Sequence, residues 1–272
     1  MLTVKRNWRY QMVNNADEIL FRSSGTGYLM TDPRSKTETL SETTKTHLID
    51  VFVSEKYGRR EEIQGKALDK GNECEEDGIT LLSRVNKKFY KKNEEHLSNE
   101  FIKGTPDLFE GKDIFNANVI IDTKLSWSAH TFFRAQKEIN KIYEWQVQSY
   151  MWLTGAKEAY VAYCLVNGTV AAIDDEKRRL GWKMGLIDPG SNPEYIDKCK
   201  QIEINHIFDL ELFLEHHPNY DLYNNILDWK YDMPIEERVF KFHVKRDDEK
   251  IEKLRQRIID CREWMNKELF KV

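Results

Sequence analysis

Apolar and polar positions follow two different periods along the chain, which predicts a mixed α/β fold. Apolar or alternating runs typical of strands occur at 118–124, 159–166 and 238–244. Apolar residues at helical spacing occur at 41–53, 70–85, 139–154 and 247–269. Ser41 and Gly155 are the residue types expected at a helix start and a helix end. We therefore expect strands and helices to be mixed along the chain, with a long amphipathic helix at the C-terminal end.

The connecting segments are less regular. Residues 104–109 predict a further strand that begins with a turn, joined to 118–124 as a hairpin or an extended meander. Residues 21–40 are rich in Ser, Thr and Gly and predict a loop-rich segment, and four prolines divide 175–235 into short helices and loops. No internal repeat is visible, so we expect a single domain over 1–272 with an elaboration at about 175–235.

Composition excludes several classes of protein. Hydrophobic residues make up 40% of the chain and charged residues 32%, the balance of a soluble globular protein. No stretch has the length of a signal peptide or a membrane span, so we expect a cytoplasmic protein without a membrane partner. The four cysteines are far apart, which disfavours zinc and iron–sulfur sites and predicts reduced, mostly buried thiols.

The net charge of −4 is not that of a protein that coats DNA with its whole surface. A nucleic-acid contact would need a local patch. Residues 84–92 offer one, with five basic residues, Phe89, Tyr90 and no acidic residue. A solvated helix end or loop explains the same composition equally well.

Candidate chemistry is concentrated in two short segments. Gly104-Thr-Pro-Asp107 is followed, fifteen residues after the aspartate, by Asp122-Thr-Lys124 at the end of an apolar strand. Side chains alternate along a strand, so Asp122 and Lys124 point to one side and Thr123 to the other. Carboxylates are hard ligands for Mg²⁺, and a nearby ammonium can orient water or stabilise charge, two roles that the sequence does not separate. Together they predict hydrolysis of phosphodiester bonds.

These two segments resemble the motif of the PD-(D/E)XK nucleases, and Gln146-Val-Gln-Ser-Tyr150 resembles the Q-x-x-x-Y element of the RecB-like branch. Gln146 and Tyr150 share one helix face. The resemblance implies a restriction-endonuclease-like core, with a mixed central sheet flanked by helices. It also implies that Asp107 and Asp122 bind metal, that Lys124 takes part in catalysis, and that Gln146 and Tyr150 contact substrate.

A further resemblance, to the G-x-x-x-E-x-x-A helix of lambda exonuclease and the YqaJ-type viral recombinases, lies at 71–78. It implies that Glu75 is a third metal ligand and catalytic residue, although neighbouring acidic residues make the register less secure. Gly78 stands where the family has alanine. In that family a basic residue near the N-terminus binds a 5′ phosphate, a role that would fall to Arg22 with Ser24, and an exposed loop arginine is an equally good interpretation.

The resemblance also implies cofactors and partners. We expect Mg²⁺, with Mn²⁺ able to substitute and two ions per site. We expect duplex DNA ends as substrate, cut from 5′ to 3′ in phage-type recombination, in a bacterial cell and from a phage or prophage gene. A single-strand annealing protein and a ring-shaped homo-oligomer are further expectations. Two alternatives stay open: a structure-specific or single-strand nuclease of the same superfamily, and a non-catalytic DNA-binding scaffold.

Overall fold

The computed structural model describes residues 13–61, 70, 73–223 and 229–271. Two sheets form the framework of this part of the chain. One sheet contains three short strands, β1 (Phe21–Arg22), β2 (Leu97–Ser98) and β3 (Ile102–Gly104), with β3 in the middle. The other contains β4 (Leu108–Gly111), β5 (Ala117–Leu125), β6 (Glu158–Cys164) and β7 (Val239–Lys245), in that spatial order.

The four-stranded sheet is mixed, as the family resemblance implies. β4 and β5 form an antiparallel hairpin, β5 and β6 are parallel, and β6 and β7 are antiparallel. A parallel pair needs a long crossover, and the crossover from β5 to β6 contains a helix. Within the described residues the α-helices are α1 (Thr26–Leu29), α2 (Glu42–Tyr57), α3 (Glu75–Asn86), α4 (Ala129–Ala135), α5 (Lys141–Thr154), α6 (Val170–Lys183), α7 (Pro193–His206), α8 (Leu210–His216) and α9 (Asp248–Glu268).

The helix ends follow from local residue chemistry. The Ser41 side chain accepts a hydrogen bond from the backbone N–H of Thr44 at 3.0 Å and so caps α2. Gly58 and Gly155 follow α2 and α5 with φ of 66° and 78°, the left-handed conformation that terminates helices and that glycine adopts without strain. The predicted helix start at Ser41 and the predicted helix end at Gly155 are both confirmed.

The two faces of the larger sheet are covered by different helices. Apolar residues of α3, among them Ile79 and Leu82, pack on one face against Ile121 and Ala162. α5 covers the other face, where Val147 and Met151 pack against Ile120 and Val161 of the same two strands. Because both faces of β5 are buried, its functional side chains stand in a rigid setting.

A further apolar layer lies beyond α5. α9 contributes Leu254, Ile258 and Met265, which pack against Leu48 of α2 and Ile102 of β3. The predicted C-terminal helix is therefore confirmed as α9, and it covers the smaller sheet. α6, α7 and α8 occupy the stretch predicted as an elaboration and bury a small core of their own around Ile173, Ile207 and Phe213.

Three of the sequence predictions are corrected by the structure. The segment predicted as loop at 21–40 contains β1 and α1, which long-range pairing of β1 with β3 stabilises and which local composition does not reveal. The single strand predicted at 104–109 is divided, because β3 ends at Gly104 and β4 begins at Leu108. The helix predicted at 70–85 is found as α3 (Glu75–Asn86); Lys70 and Glu73 are also helical, and residues 71 and 72 lie outside the described residues.

All four cysteines are buried, which confirms the expectation of buried thiols, and each is free of a disulfide in the structure. Among the described helices, none is both long enough and apolar enough to cross a membrane.

Candidate active site

Asp107 lies at the bend where the chain leaves β3 of the smaller sheet and enters β4 of the larger one. Two close approaches fix this bend. A Cβ on Gly104 would lie 2.5 Å from Ser23 Oγ and 2.8 Å from Tyr150 Cε1, so only glycine fits there without displacing them. The buried Asn93 donates its backbone N–H to the Asp107 carbonyl at 2.8 Å and its side-chain amide to the Pro106 carbonyl at 2.9 Å.

The Asp107 carboxylate is held by the residue between the other two motif positions. Thr123 donates its backbone N–H at 2.7 Å and its hydroxyl at 2.8 Å to Asp107 Oδ2. Burial, followed by the nearby charge of Asp122, raises the pKa of Asp107 to about 7, although Lys124 and Thr123 act in the opposite direction. The two aspartates therefore repel each other in a poorly solvated place.

Asp122 and Lys124 project from one side of β5, as their spacing predicts. The Lys124 ammonium lies 2.7 Å from Asp122 Oδ2 and 4.6 Å from the centre of the Tyr143 ring. Asp122 is fully buried, and burial raises the pKa of its carboxyl, while Lys124 partly offsets that effect. Burial lowers the pKa of Lys124, but the charges of Asp122 and then Asp107 outweigh it, so its pKa lies above the usual value.

Gln146 and Tyr150 of α5 complete this cluster. The Gln146 side-chain amide donates to Asp122 Oδ1 at 3.0 Å and to the Tyr150 hydroxyl at 3.0 Å. Both residues are buried. Burial and the charges of Asp122 and Asp107 raise the pKa of Tyr150, which therefore stays a neutral phenol. The structure thus brings together the five residues Asp107, Asp122, Lys124, Gln146 and Tyr150.

The donor set fits a divalent cation. Asp122 Oδ2 accepts no well-directed hydrogen bond within the described residues, although it is buried and has the Lys124 ammonium beside it. Two crowded carboxylates offer hard oxygen ligands, and a bound cation would relieve their repulsion. In the described part of the chain no third Asp, Glu, His or Cys joins them in a group of three.

Glu75 has a different partner. It is the first residue of α3, and its Oε2 lies 2.6 Å from the ammonium of Lys92. A hydrogen bond from Lys92 to Glu75 is the largest cause of the raised pKa of Lys92, and the charge of Asp107 adds to it. Glu75 is thus linked to the cluster through Lys92, and its predicted role as a metal ligand stays a prediction.

The N-terminal residues predicted to bind a phosphate lie beside the cluster. Arg22 is exposed on β1, where it pairs in register with Lys103 of β3. Ser23 is buried against Gly104 and Tyr150, and its hydroxyl has no hydrogen-bond partner in the described residues. Ser24 is exposed. The segment that carries these residues therefore contacts the helix of Gln146 and Tyr150.

Solved structures with this fold are known. A phage-related exonuclease from Haemophilus somnus 129PT shares 22% identity with the chain, with a TM-score of 0.63 over 93% of this chain and 96% of that one. The alkaline exonuclease LHK-Exo from Laribacter hongkongensis shares 12% identity, with a TM-score of 0.55 over 92% and 89% of the two chains. Its complex with dAMP aligns with a TM-score of 0.53.

The chain has the fold of these exonucleases. The resemblance that the sequence motifs carry is thereby confirmed at the level of fold, together with the predicted mixed α/β core. No protein-family model matches the sequence, and no curated protein matches it either. With this exonuclease fold, the motif residues occupy one end of the sheet, between β4, β5 and α5.

Sequence reasoning missed three residues that contact the cluster. The alternation along the strand places Thr123 only on the opposite face, yet Thr123 donates two hydrogen bonds to Asp107. Asn93 braces the bend at Asp107 from a loop with no regular pattern, and Tyr143 packs against Lys124. Tyr143 precedes Tyr150 by seven residues, two helical turns, and this spacing is the one signal that could have identified it.

Proposed function

We propose that the protein is a metal-dependent deoxyribonuclease that removes nucleotides from DNA ends. The observation that carries this proposal is the cluster in which burial and then the charge of Asp122 raise the pKa of Asp107, with the Lys124 ammonium 2.7 Å from Asp122. Such an arrangement is costly for an apoprotein, since burying like charges destabilises the fold. It is useful where a divalent cation binds. The exonuclease fold supports the same conclusion.

Asp107 and Asp122 would hold Mg²⁺, with Mn²⁺ able to substitute. When bound, the cation supplies positive charge to the oxygens of the scissile phosphate. Glu75 is proposed as a further ligand for a second ion, which requires it to exchange Lys92 for the cation. The two carboxylates already in place are sufficient for the first ion.

The remaining residues act around the phosphate. Lys124 carries a positive charge on the same side of β5 as Asp122, so it can stabilise negative charge that develops on the phosphoryl group. Gln146 holds Asp122 Oδ1, which fixes the direction of that carboxylate. Tyr150 supports Gln146 from the next turn of α5 and, as a neutral phenol, can donate a hydrogen bond to substrate.

The proposed substrate is linear duplex DNA, degraded from the 5′ end. The similar structures are a phage-related exonuclease and an alkaline exonuclease, and the latter was also solved with dAMP, a deoxynucleotide. We propose that Arg22 and Ser24 bind the terminal 5′ phosphate, since they are exposed beside the segment that contacts α5 and a guanidinium matches phosphate geometry. A recombination role with an annealing protein, and a ring-shaped oligomer, belong to the same proposal.

A digestion time course tests this function. Linear duplexes with 5′ phosphate, 5′ hydroxyl or covalently closed ends are incubated with Mg²⁺ and either wild type or Asp122→Asn. We expect wild type alone to release mononucleotides from open ends, fastest from 5′ phosphate. Cleavage of the duplex with covalently closed ends would indicate an endonuclease instead, and DNA binding without cleavage under Mg²⁺ or Mn²⁺ would indicate a scaffold.

A further inference from the structure

A basic loop with an exposed aromatic side chain runs from the end of α3 along the outer edge of the larger sheet. In this loop, residues 87–91, the ring of Phe89 is 87% exposed. An exposed aromatic residue alone indicates nothing, because much of any protein surface is apolar. The neighbours of Phe89 make this one informative.

Both flanks of Phe89 are fixed to β4. Tyr90 is buried and donates its hydroxyl to Glu110 at 2.8 Å, and the Lys88 ammonium lies 2.8 Å from the other oxygen of Glu110. Further along, the backbone N–H of Asn93 donates to the Asp107 carbonyl. Phe89 therefore points into solvent from a loop held between two anchors, and not from a loose segment.

The loop also lies close to the candidate active site. Glu110, which holds Tyr90 and Lys88, follows Asp107 by three residues along β4. At about 3.3 Å per residue this separation is roughly 10 Å.

The charges of the loop favour an anionic partner. Arg84, Lys87 and Lys91 are exposed and form no ion pair within the described residues. Lys241 of β7 adds a further cation beside the end of α3, where it binds Asn86 Oδ1 at 2.9 Å. Acidic residues are absent from 84–92, in a chain with an overall charge of −4, so the positive charge is a local feature.

We propose that the 87–91 loop binds unpaired nucleotides of the DNA strand, with Phe89 stacking on a base and Lys87 and Lys91 contacting the flanking phosphates. Cations interleaved with an aromatic ring are the chemistry that recognises single-stranded nucleic acid. A duplex interior hides its base faces by stacking, so an exposed ring fits an unpaired base. This inference rests on the proposed function and adds a strand-binding surface outside the cleavage site.

Binding of a fluorescein-labelled dT12 oligonucleotide, measured by anisotropy in EDTA, tests the aromatic contact without cleavage. We expect Phe89→Ala to weaken binding by about five- to hundred-fold, the range of one base stacked on an aromatic ring. Phe89→Trp should retain the affinity. Trp182→Ala, which removes a 72% exposed ring from α6, should leave it unchanged. Equal affinities of Phe89→Ala and wild type would overturn the proposal.

The salt dependence of the same binding tests the lysines. Lys87→Gln with Lys91→Gln should reduce the slope of log affinity against log salt by about 1.4, at about 0.7 per phosphate contact on a single strand. Lys36→Gln with Lys253→Gln removes the same charge from other exposed positions and should keep the wild-type slope. Equal slopes for both pairs of substitutions would overturn the proposed contacts of Lys87 and Lys91 with phosphates.

Two measurements on the wild type separate the loop proposal from the proposed function. A wild type that digests duplex ends but does not bind dT12 would overturn the loop proposal alone, whereas a wild type that does neither would overturn the proposed function as well.

Discussion

Thr123 donates two hydrogen bonds to a single carboxylate oxygen of Asp107, from its backbone N–H at 2.7 Å and from its hydroxyl at 2.8 Å. Leu108 pairs with Ile121 across the hairpin, so Asp107 lies one step further on, opposite the Asp122–Thr123 segment. Both bonds go to Oδ2 and fix the rotation of the carboxylate. Asp107 Oδ1 is thereby aimed in one direction, which prepares it to bind a cation.

This relationship predicts that Thr123 is a positioning residue for Asp107. Thr123→Val keeps the shape and the backbone bond but removes the hydroxyl, and a hydrogen bond to a charged group contributes about 1.5–3 kcal/mol. We expect about ten- to hundred-fold weaker Mn²⁺ binding by calorimetry and a comparable loss of cleavage rate. Thr123→Ser restores the hydroxyl and should restore both. Equal Mn²⁺ affinity for wild type and the valine variant would contradict the prediction.

The main elements of the fold could be predicted from sequence because their patterns are local. The alternation at 238–244 and the apolar run at 118–124 correspond to β7 and β5, and the caps Ser41 and Gly155 mark real helix ends. β1 could not be predicted, since two residues carry no periodicity and only pairing with the distant β3 makes them a strand.

The site was predictable only where its chemistry follows strand or helix geometry. Side chains of a strand alternate between its two faces, which places Asp122 beside Lys124. Residues four apart in a helix share one face, which places Gln146 beside Tyr150. Asn93 could not be identified, because it acts through two hydrogen bonds to backbone carbonyls of a segment more than ten residues away in the sequence. The ion pair between Glu75 and Lys92 could not be predicted either, because it depends on the path of the loop that follows α3.

The raised pKa of Asp107 predicts a dependence of apoprotein stability on pH. Its folded-state pKa is about 7 against an ordinary value of 3.8, so between these values the folded protein binds more protons than the unfolded chain. Stability then falls as pH rises from about 4 to about 7. Asp107→Asn removes this loss, and we expect it to melt at a higher temperature than wild type at pH 8 in EDTA, with a smaller difference at pH 5.

Adding metal provides the control for that experiment. Mg²⁺ or Mn²⁺ binds the folded wild type and should raise its melting temperature at pH 8, while Asp107→Asn gains less because it has lost a ligand. The difference between the two proteins should therefore shrink or reverse. A wild type that is more stable than Asp107→Asn at pH 8 without metal would contradict the assignment of Asp107 as a strained carboxylate.

Lys124 is expected to act on the reaction rather than on binding. Lys124→Ala removes the positive charge beside Asp122 and the contact with the Tyr143 ring. Loss of one positioned electrostatic group typically lowers kcat by about 10²–10³-fold. We expect that loss in single-turnover digestion, with Mn²⁺ and dT12 affinities retained, and no change in Lys253→Ala. An unchanged cleavage rate would remove Lys124 from the mechanism.

Gly78 is expected to be required for the close packing of α3 on β5. A Cβ at this position would lie 2.5 Å from Leu125 Cδ2, whereas alanine would otherwise favour the helix by about 1 kcal/mol. Because Leu125 is next to Lys124, displacement of its side chain would disturb the edge of the candidate site. Overpacking typically costs about 1–3 kcal/mol, so we expect Gly78→Ala to destabilise the protein in urea unfolding despite its better helix propensity.

Leu125→Ala in the same chain should relieve the clash, and a double-mutant cycle should show favourable coupling between the two substitutions. Additive effects, or a Gly78→Ala variant that is more stable than wild type, would show that α3 can shift away from β5.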